Sequence, residues 1–104
     1  MATAEISVGM VMGAGAPTYA PARASQTLAT TTANTVATLS GFSGTYTVLD
    51  GDYLTVTMRG STSGAYVAIG KVATTAPRRY IGEGQTIDIG PLKAGDTINI
   101  ADVA

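Results

Sequence analysis

Residues 45–59 read TYTVLDGDYLTVTMR, in which two alternating stretches flank the pair Asp50-Gly51. Asp-Gly between alternating apolar residues is the strongest local signal for a β-hairpin. Glycine supplies the positive φ that such a tight turn requires. This segment therefore predicts two strands, at 45–49 and 53–59, joined by a turn.

The second stretch also predicts which side chains face the core. Successive side chains of a strand point to opposite faces, so apolar residues two positions apart share one face. The same alternation continues in the later strands. The predicted core consists of the apolar residues on these faces: Leu54, Val56, Met58, Val67, Ile69, Ile87, Ile89, Ile98 and Ile100. A register shifted by one residue would place Tyr66 and Ala68 inward instead of Val67 and Ile69.

The remainder of the chain is also rich in strand signals. No apolar pattern of helical spacing persists for three turns. Short stretches of β-branched residues are separated by glycine-containing turns instead, which is typical of small all-β folds. We expect an all-β fold, specifically a small antiparallel β-sandwich, a jelly-roll-like fold or a barrel. Its further strands are predicted at 25–39 (a hairpin turning at 30–34, or a long edge strand), at 66–72, and as a last pair at 85–89 and 97–100.

The first 24 residues differ from the rest and are predicted to form an N-terminal strand and an extended arm ahead of a single domain at 25–104. Alternating apolar residues indicate the strand, and the run GAGAPTYAPARA at 13–24 is too rich in proline and glycine for a helix or central strand. We expect mature sequence rather than a signal peptide, because no basic n-region precedes the apolar run. The arm could add a strand to a neighbouring subunit or, as the alternative, pack onto its own domain.

Composition excludes several functions. The 104 residues carry a net charge of −1, with 12% charged residues, no histidine and no cysteine. A chain without excess lysine and arginine lacks the charge to neutralise nucleic-acid phosphates, so no nucleic-acid partner is expected. The apolar run near the N-terminus is too short to span a bilayer, so no membrane partner is expected either.

Little catalytic chemistry remains available. Without histidine or cysteine, neither a Ser-His-Asp nor a Cys-His relay can form, and the commonest metal ligands are missing. A carboxylate pair of the glycosidase type is the minor alternative. Most of the acidic residues flank glycines, where a turn explains them. We therefore expect no enzyme activity, no catalytic residues, no metal site and no cofactor.

The sparsely charged surface predicted from the composition is better suited to protein–protein contact than to catalysis. Few charges have to be stripped of water when a partner covers it. Arg78 and Arg79 precede Tyr80 in a predicted exposed loop, and arginine beside an aromatic is favoured at interfaces. The candidate interface residues are the apolar stripe of the arm, two further arm residues and this loop: Ile6, Val8, Met10, Met12, Tyr19, Arg23, Arg78, Arg79 and Tyr80.

From Ser25 onward the chain resembles small virion proteins of tailed bacteriophages, of the capsid decoration or cement type. The resemblance is carried by SQTLATTTANTVATL at 25–39, GTYTVLDGDYLTV at 44–56, AYVAIG at 65–70 and GEGQTIDIGPLKAGDTINI at 82–100. It implies a compact β-fold that sits on a capsid lattice, often as a trimer, and bridges neighbouring capsomers. No catalytic residues are implied.

Two functions are therefore expected from different classes. The first is a structural virion protein, a bacteriophage head decoration protein assembled in the host cytoplasm, with the major capsid or another virion protein and its own copies as partners. The second is a carbohydrate-binding or adhesin-like module, for example in a tail or fibre. The chain has five tyrosines to offer a sugar.

Overall fold

The structure, a computed structural model, describes residues 2–12, 18–19, 23–60 and 63–103, except for the side chains of residues 10–12 and 18–19. The described residues form strands joined by turns and irregular segments, with no helix. In chain order the strands are β1 (Ala2–Met12), β2 (Thr18–Tyr19), β3 (Ala24–Thr30), β4 (Thr35–Val36), β5 (Ser40–Gly41), β6 (Gly44–Thr45), β7 (Asp52–Arg59), β8 (Ala65–Ile69), β9 (Arg79–Ile81), β10 (Thr86–Ile89) and β11 (Ile98–Asp102).

These strands form two antiparallel sheets. The first is seven-stranded, in the order β10-β7-β1-β3-β5-β6, with β2 paired to β1 beside this path. The second is four-stranded, in the order β4-β11-β8-β9. Buried side chains of both sheets belong to one apolar core. The all-β antiparallel prediction is confirmed.

The core follows the predicted alternation. In β7 every second residue is buried, and Leu54, Val56 and Met58 are fully covered. Every predicted core residue lies in or against the same cluster, with Ile69 and Ile89 only partly buried at its margin. Period-2 patterning in the sequence therefore predicts the buried face of these strands correctly.

Strand β1 occupies the centre of the first sheet. It pairs with β3 from Ala2 to Val8 and with β7 from Thr3 to Met10. Ile6 and Val8 are 2% and 1% exposed in the domain's own core. This corrects the expectation that their stripe serves a neighbouring subunit: the alternative, a strand packed on its own domain, is the one observed. The physical reason is that β3 and β7 each have an edge whose backbone groups need hydrogen-bond partners, and β1 lies between them and pairs with both.

The Asp-Gly turn is present, but the predicted hairpin around it is wrong. Gly51 has φ +85°, and the Asp52 amide donates to the Leu49 carbonyl at 3.1 Å, which closes the turn. However, β6 pairs with β5, and β7 pairs with β1 and β10. The chain before the turn runs beside the linker that follows β10 instead, where the Gly95 amide donates to the Val48 carbonyl at 2.9 Å.

Two further predicted pairings are also wrong, because in each case the two strands lie in different sheets. The turn after β3 carries the chain from the first sheet to the second, so β3 and β4 do not form a hairpin and β3 lies between β1 and β5. Strands β10 and β11 likewise belong to different sheets. Leu92 in their connection is buried in the core, so this linker crosses between layers rather than turning back within one.

Deleting residues 2–12 should abolish cooperative folding. The deletion leaves β3 and β7 without their shared neighbour and removes Ile6 and Val8 from the core, so both hydrogen bonds and burial are lost. Urea unfolding followed by far-UV circular dichroism measures the outcome. Thr3→Ser, a conservative change on the solvent-facing side of the same strand, serves as the control. A truncated chain with a cooperative transition like that of the full chain would contradict the central role of β1.

Candidate protein-binding surfaces

The β5–β6 hairpin carries a fully exposed aromatic ring. Gly41 pairs with Gly44, so Phe42 and Ser43 form the turn, and Phe42 is 95% exposed. Leu49, on the segment that follows β6, is 47% exposed. A groove of about 380 Å³ lies between them. We call the groove and its walls the tip surface, defined by Arg23, Phe42, Tyr46 and Leu49.

A buried carboxylate supports this surface from below. Asp52 is 1% exposed, and its Oδ2 accepts hydrogen bonds from the Tyr46 hydroxyl at 2.5 Å and the Leu49 amide at 3.0 Å. Its Oδ1 lies 3.4 Å from Nη1 of Arg23. Asp52 therefore ties together three parts of the groove that are separate in the sequence.

The same contacts shift the titration of Tyr46. Partial burial disfavours the phenolate, and the hydrogen bond to the Asp52 carboxylate favours the protonated phenol, so the pKa of Tyr46 is raised above its ordinary value. The Arg23 guanidinium opposes this increase. Around neutral pH the Tyr46 hydroxyl is therefore a donor, as its hydrogen bond to Asp52 requires.

The only charged groups at the described part of the tip surface are Arg23 and the buried Asp52 below it. No charged residue occurs between Arg23 and Asp50 in the sequence. The charge of Arg23 is offset by the neighbouring carboxylate of Asp52. Covering this surface therefore requires little ion desolvation.

A second exposed region lies on β9 and the loop before it. The Arg78 guanidinium stacks over the Tyr66 ring, with Cζ 3.6 Å from the ring centroid, and it donates to the Thr74 carbonyl at 2.8 Å. The rings of Tyr66 and Tyr80 meet edge to face, with centroids 6.0 Å apart. Tyr80 remains 52% exposed. We call the exposed pair Arg79 and Tyr80 the rim.

Side-chain amides and an ammonium group hold this loop in place. The Asn34 Oδ1 accepts from the Ala73 amide at 2.7 Å, while its Nδ2 donates to Asn99 Oδ1 at 3.0 Å. The Lys71 ammonium donates to the Val72 and Thr75 carbonyls. The loop is therefore fixed against the sheet by specific polar contacts, and Arg78 belongs to the same network.

The predicted exposure of the two arginines is confirmed, but the predicted loop is only partly correct. Arg78 and Arg79 are both exposed. Arg79, however, is the first residue of β9, an edge strand, and its Nη1 lies 3.5 Å from the Asp88 carbonyl on β10, the edge strand of the other sheet. Arg78 stacks on Tyr66, whereas the contact of Arg79 is long and about half of Tyr80 stays exposed, so Arg79 and Tyr80 are the better candidates for contact with another molecule.

The other predicted interface residues are dispersed. Ile6 and Val8 lie in the core, and Arg23 lies in the tip surface. The side chains of Met10, Met12 and Tyr19, as well as most of the predicted arm between β1 and β3, lie outside the described residues. Phe42 and Leu49 were not among the residues predicted to form an interface. The available signal was the chain's single phenylalanine between two glycines in GFSG at 41–44.

Each acidic residue of the chain has a local structural role. Every carboxylate accepts a hydrogen bond from a backbone amide or a side chain, as found for Glu5, Asp50, Asp52, Glu83, Asp88, Asp96 and Asp102. Among the described residues, no group of three or more acidic, histidine or cysteine side chains is placed to bind a metal. Nor does the described part of the chain contain a helix with the length and apolarity needed to cross a membrane.

Arg78→Ala should lower the free energy of unfolding by about 1 kcal/mol, because it removes a cation–π contact and hydrogen bonds to loop carbonyls. Arg79→Ala is the matched control and should change it by less than about 0.5 kcal/mol, since its contact to Asp88 is long and exposed. Urea titration of both variants measures the difference. Equal effects would show that the stacking on Tyr66 contributes nothing.

Tyr46→Phe should cost about 1–2 kcal/mol near neutral pH, because the buried Asp52 carboxylate loses one donor. The raised pKa of Tyr46 adds a pH dependence. The Tyr46 hydroxyl contributes fully to the free energy of unfolding below about pH 10, the ordinary pKa of tyrosine. This contribution is lost as the pH rises through the pKa of Tyr46 in the folded protein.

The difference between wild type and Tyr46→Phe should therefore shrink as the pH rises above about 10, the ordinary tyrosine pKa. Urea unfolding from neutral to alkaline pH tests this. Tyr53→Phe, the same chemical change on β7, is the control and should change the free energy of unfolding only slightly. A constant difference for Tyr46→Phe would contradict the proposed coupling between its hydroxyl and Asp52.

Comparisons with known proteins give no assignment. No family model, curated protein or solved structure matches the chain.

Proposed function

We propose that this protein is a structural component of a larger assembly, specifically a capsid decoration protein of a tailed bacteriophage that stabilises the head shell through protein–protein contacts. The observation that carries the proposal is that a domain with a filled core leaves large apolar side chains uncovered on a surface with few charges. Phe42, Leu49 and Tyr80 are the main examples. Phe42 and Leu49 line the same groove, and contiguous exposed apolar groups mark interaction sites.

The energetics favour burial against a partner. Covering one large apolar side chain gains about 1.5–3 kcal/mol. With 12% charged residues, the surrounding surface has few hydrated ions to strip. A small number of such contacts per copy is sufficient when many copies bind the same shell, because each copy that binds only the assembled shell stabilises it by mass action.

The rim is the proposed contact with the shell. Tyr80 is held by the Tyr66 ring and by a hydrogen bond from its hydroxyl to the Ser63 carbonyl at 3.0 Å. Its ring is thus positioned before binding, which lowers the entropic cost of association. Arg79 beside it adds a planar cation, and tyrosine and arginine are both enriched among the residues that dominate interface energetics.

The carbohydrate-binding alternative is favoured by a different feature. The outer face of the first sheet has a shallow hollow of about 300 Å³, lined mainly by hydroxyl-bearing side chains together with Glu5. Ser7, Ser25, Thr27, Thr55 and Thr57 provide the hydroxyls. Binding to a glycan array, lost on Glu5→Gln, would favour this alternative. Absence of glycan binding together with shell binding would remove it.

The proposal predicts that the purified protein co-sediments with expanded head shells assembled from tailed-bacteriophage major capsid proteins. Arg79→Glu should weaken this binding at least tenfold, about 1.4 kcal/mol, with an unchanged melting temperature. Arg59→Glu provides a matched exposed arginine in the first sheet and should bind like wild type. If the wild-type protein binds no shell at any salt concentration, the proposal is wrong.

A further inference from the structure

The tip surface presents a projecting ring and a groove side by side. Phe42 extends from the hairpin turn and forms one wall of the groove of about 380 Å³, which Tyr46 and Leu49 line as well. The groove is open to solvent along its length, so an aromatic ring can lie in it without any rearrangement of the walls. A surface with both features is complementary to itself.

We propose that the tip surface binds the tip surface of a second copy, with Phe42 of each copy inserted into the groove of the other. A two-fold axis places the same patch of both copies in contact, so one ring-in-groove contact generates the second. The contact belongs to the proposed function, in which copies assemble on a shell, and its biological role rests on that function. The interaction itself is between two copies of this chain.

The charge distribution favours a second copy over a charged partner. Two identical surfaces bring identical charges together, so a self-association surface has to avoid like-charge repulsion. The chain between Arg23 and Asp50 has no charged residue, and Asp52 lies 3.4 Å from the Arg23 guanidinium. An acidic or basic partner would gain little on such a surface, whereas a copy of the same surface meets no repulsion.

Arg23 also gives the groove a specific group for an aromatic ring. Its side chain is 32% exposed and is held at one end by the contact to Asp52. A guanidinium in this position can stack on an entering phenyl ring, as Arg78 does on Tyr66 within this chain. The groove therefore offers an apolar wall at Leu49 and a planar cation at Arg23.

The backbone beside the groove is compatible with the same contact. Strand β6 ends the first sheet, and the Tyr46 amide donates to the Leu39 carbonyl at 2.9 Å. Because residues of an antiparallel ladder alternate in direction, the amide and carbonyl of Thr45 point away from β5. Residues 40–49, which contain this edge strand, include no charged residue and no proline, the residues that usually protect an edge from pairing.

The expected contact is small and reversible. Aromatic side chains bury about 150–250 Å² each. Two phenylalanines with their groove walls therefore give an interface below the roughly 1,200 Å² of a standard stable complex. Association should be weak in dilute solution and stronger where copies are held close together, because the effective concentration is then high.

Sedimentation velocity of the wild-type protein, from micromolar to millimolar concentration, should show a concentration-dependent dimer. Phe42→Ser should weaken self-association at least tenfold with an unchanged melting temperature, because this ring is 95% exposed in the monomer. Val36→Ser is the matched control: Val36 is 49% exposed on β4 of the other sheet and should leave the dimer unchanged.

A mixing experiment tests the ring-in-groove geometry. Phe42→Ser removes the ring, and with it one wall of the groove, but keeps the walls at Tyr46 and Leu49, whereas Leu49→Trp fills the groove and keeps the ring. A mixture of the two variants should form more dimer than either variant alone, since one of the two contacts is restored. In a dilution series of the wild-type protein, the amide resonances of Tyr46 and Leu49 should also shift with concentration, which reports the entering ring without any substitution.

The inference is overturned by a wild-type protein that stays monomeric at every concentration, by equal effects of Phe42→Ser and Val36→Ser, or by concentration-independent resonances of Tyr46 and Leu49. Because no shell is present in these measurements, the outcome is separate from that of the proposed function. A monomer that binds shells would overturn only the inference, and a dimer that binds no shell would overturn only the proposed function.

Discussion

The fold depends on the insertion of β1 between β3 and β7. This strand pairs on both sides and places Ile6 and Val8 under the second sheet, so it supplies hydrogen bonds and core burial together. The strands on either side come from distant parts of the sequence. Without β1 they would expose their facing edges to water, and the core would lose part of one wall. The chain's first residues are therefore the element that joins the rest of the first sheet.

Asp52 has a comparable role at the level of the surface. It begins β7, yet its carboxylate binds the Tyr46 hydroxyl, the Leu49 amide and the Arg23 guanidinium. A buried carboxylate is tolerated only when donors surround it. Two of those donors, the Tyr46 hydroxyl and the Leu49 amide, lie in the segment between β6 and β7, so binding to Asp52 holds this segment in place. The position of Leu49 relative to the hairpin that carries Phe42 is set in this way. The geometry of an exposed surface is thus set by a buried charge.

The two exposed regions differ in how they are built. At the rim, the edge-to-face contact with Tyr66 and a hydrogen bond to the Ser63 carbonyl hold the Tyr80 side chain in a fixed position. At the tip surface, a turn projects an apolar ring with no such support. The first arrangement is suited to a partner of defined chemistry, and the second to a partner that supplies its own apolar cover. The two proposed contacts, with a shell and with a second copy, use one surface of each kind.

By itself the sequence determined the all-β class, the inward face of the major strands and the scarcity of charge, because period-2 patterning and composition are local properties. It identified Arg23, Arg79 and Tyr80 among the exposed candidates but not Phe42, since one phenylalanine between glycines has no periodicity to place it. Only the tertiary structure decided which strands pair. Asp50-Gly51 forms its turn as local chemistry dictates, but β6 and β7 pair elsewhere because partners are selected by burial of whole faces across the two sheets, and that selection depends on residues far apart in the chain.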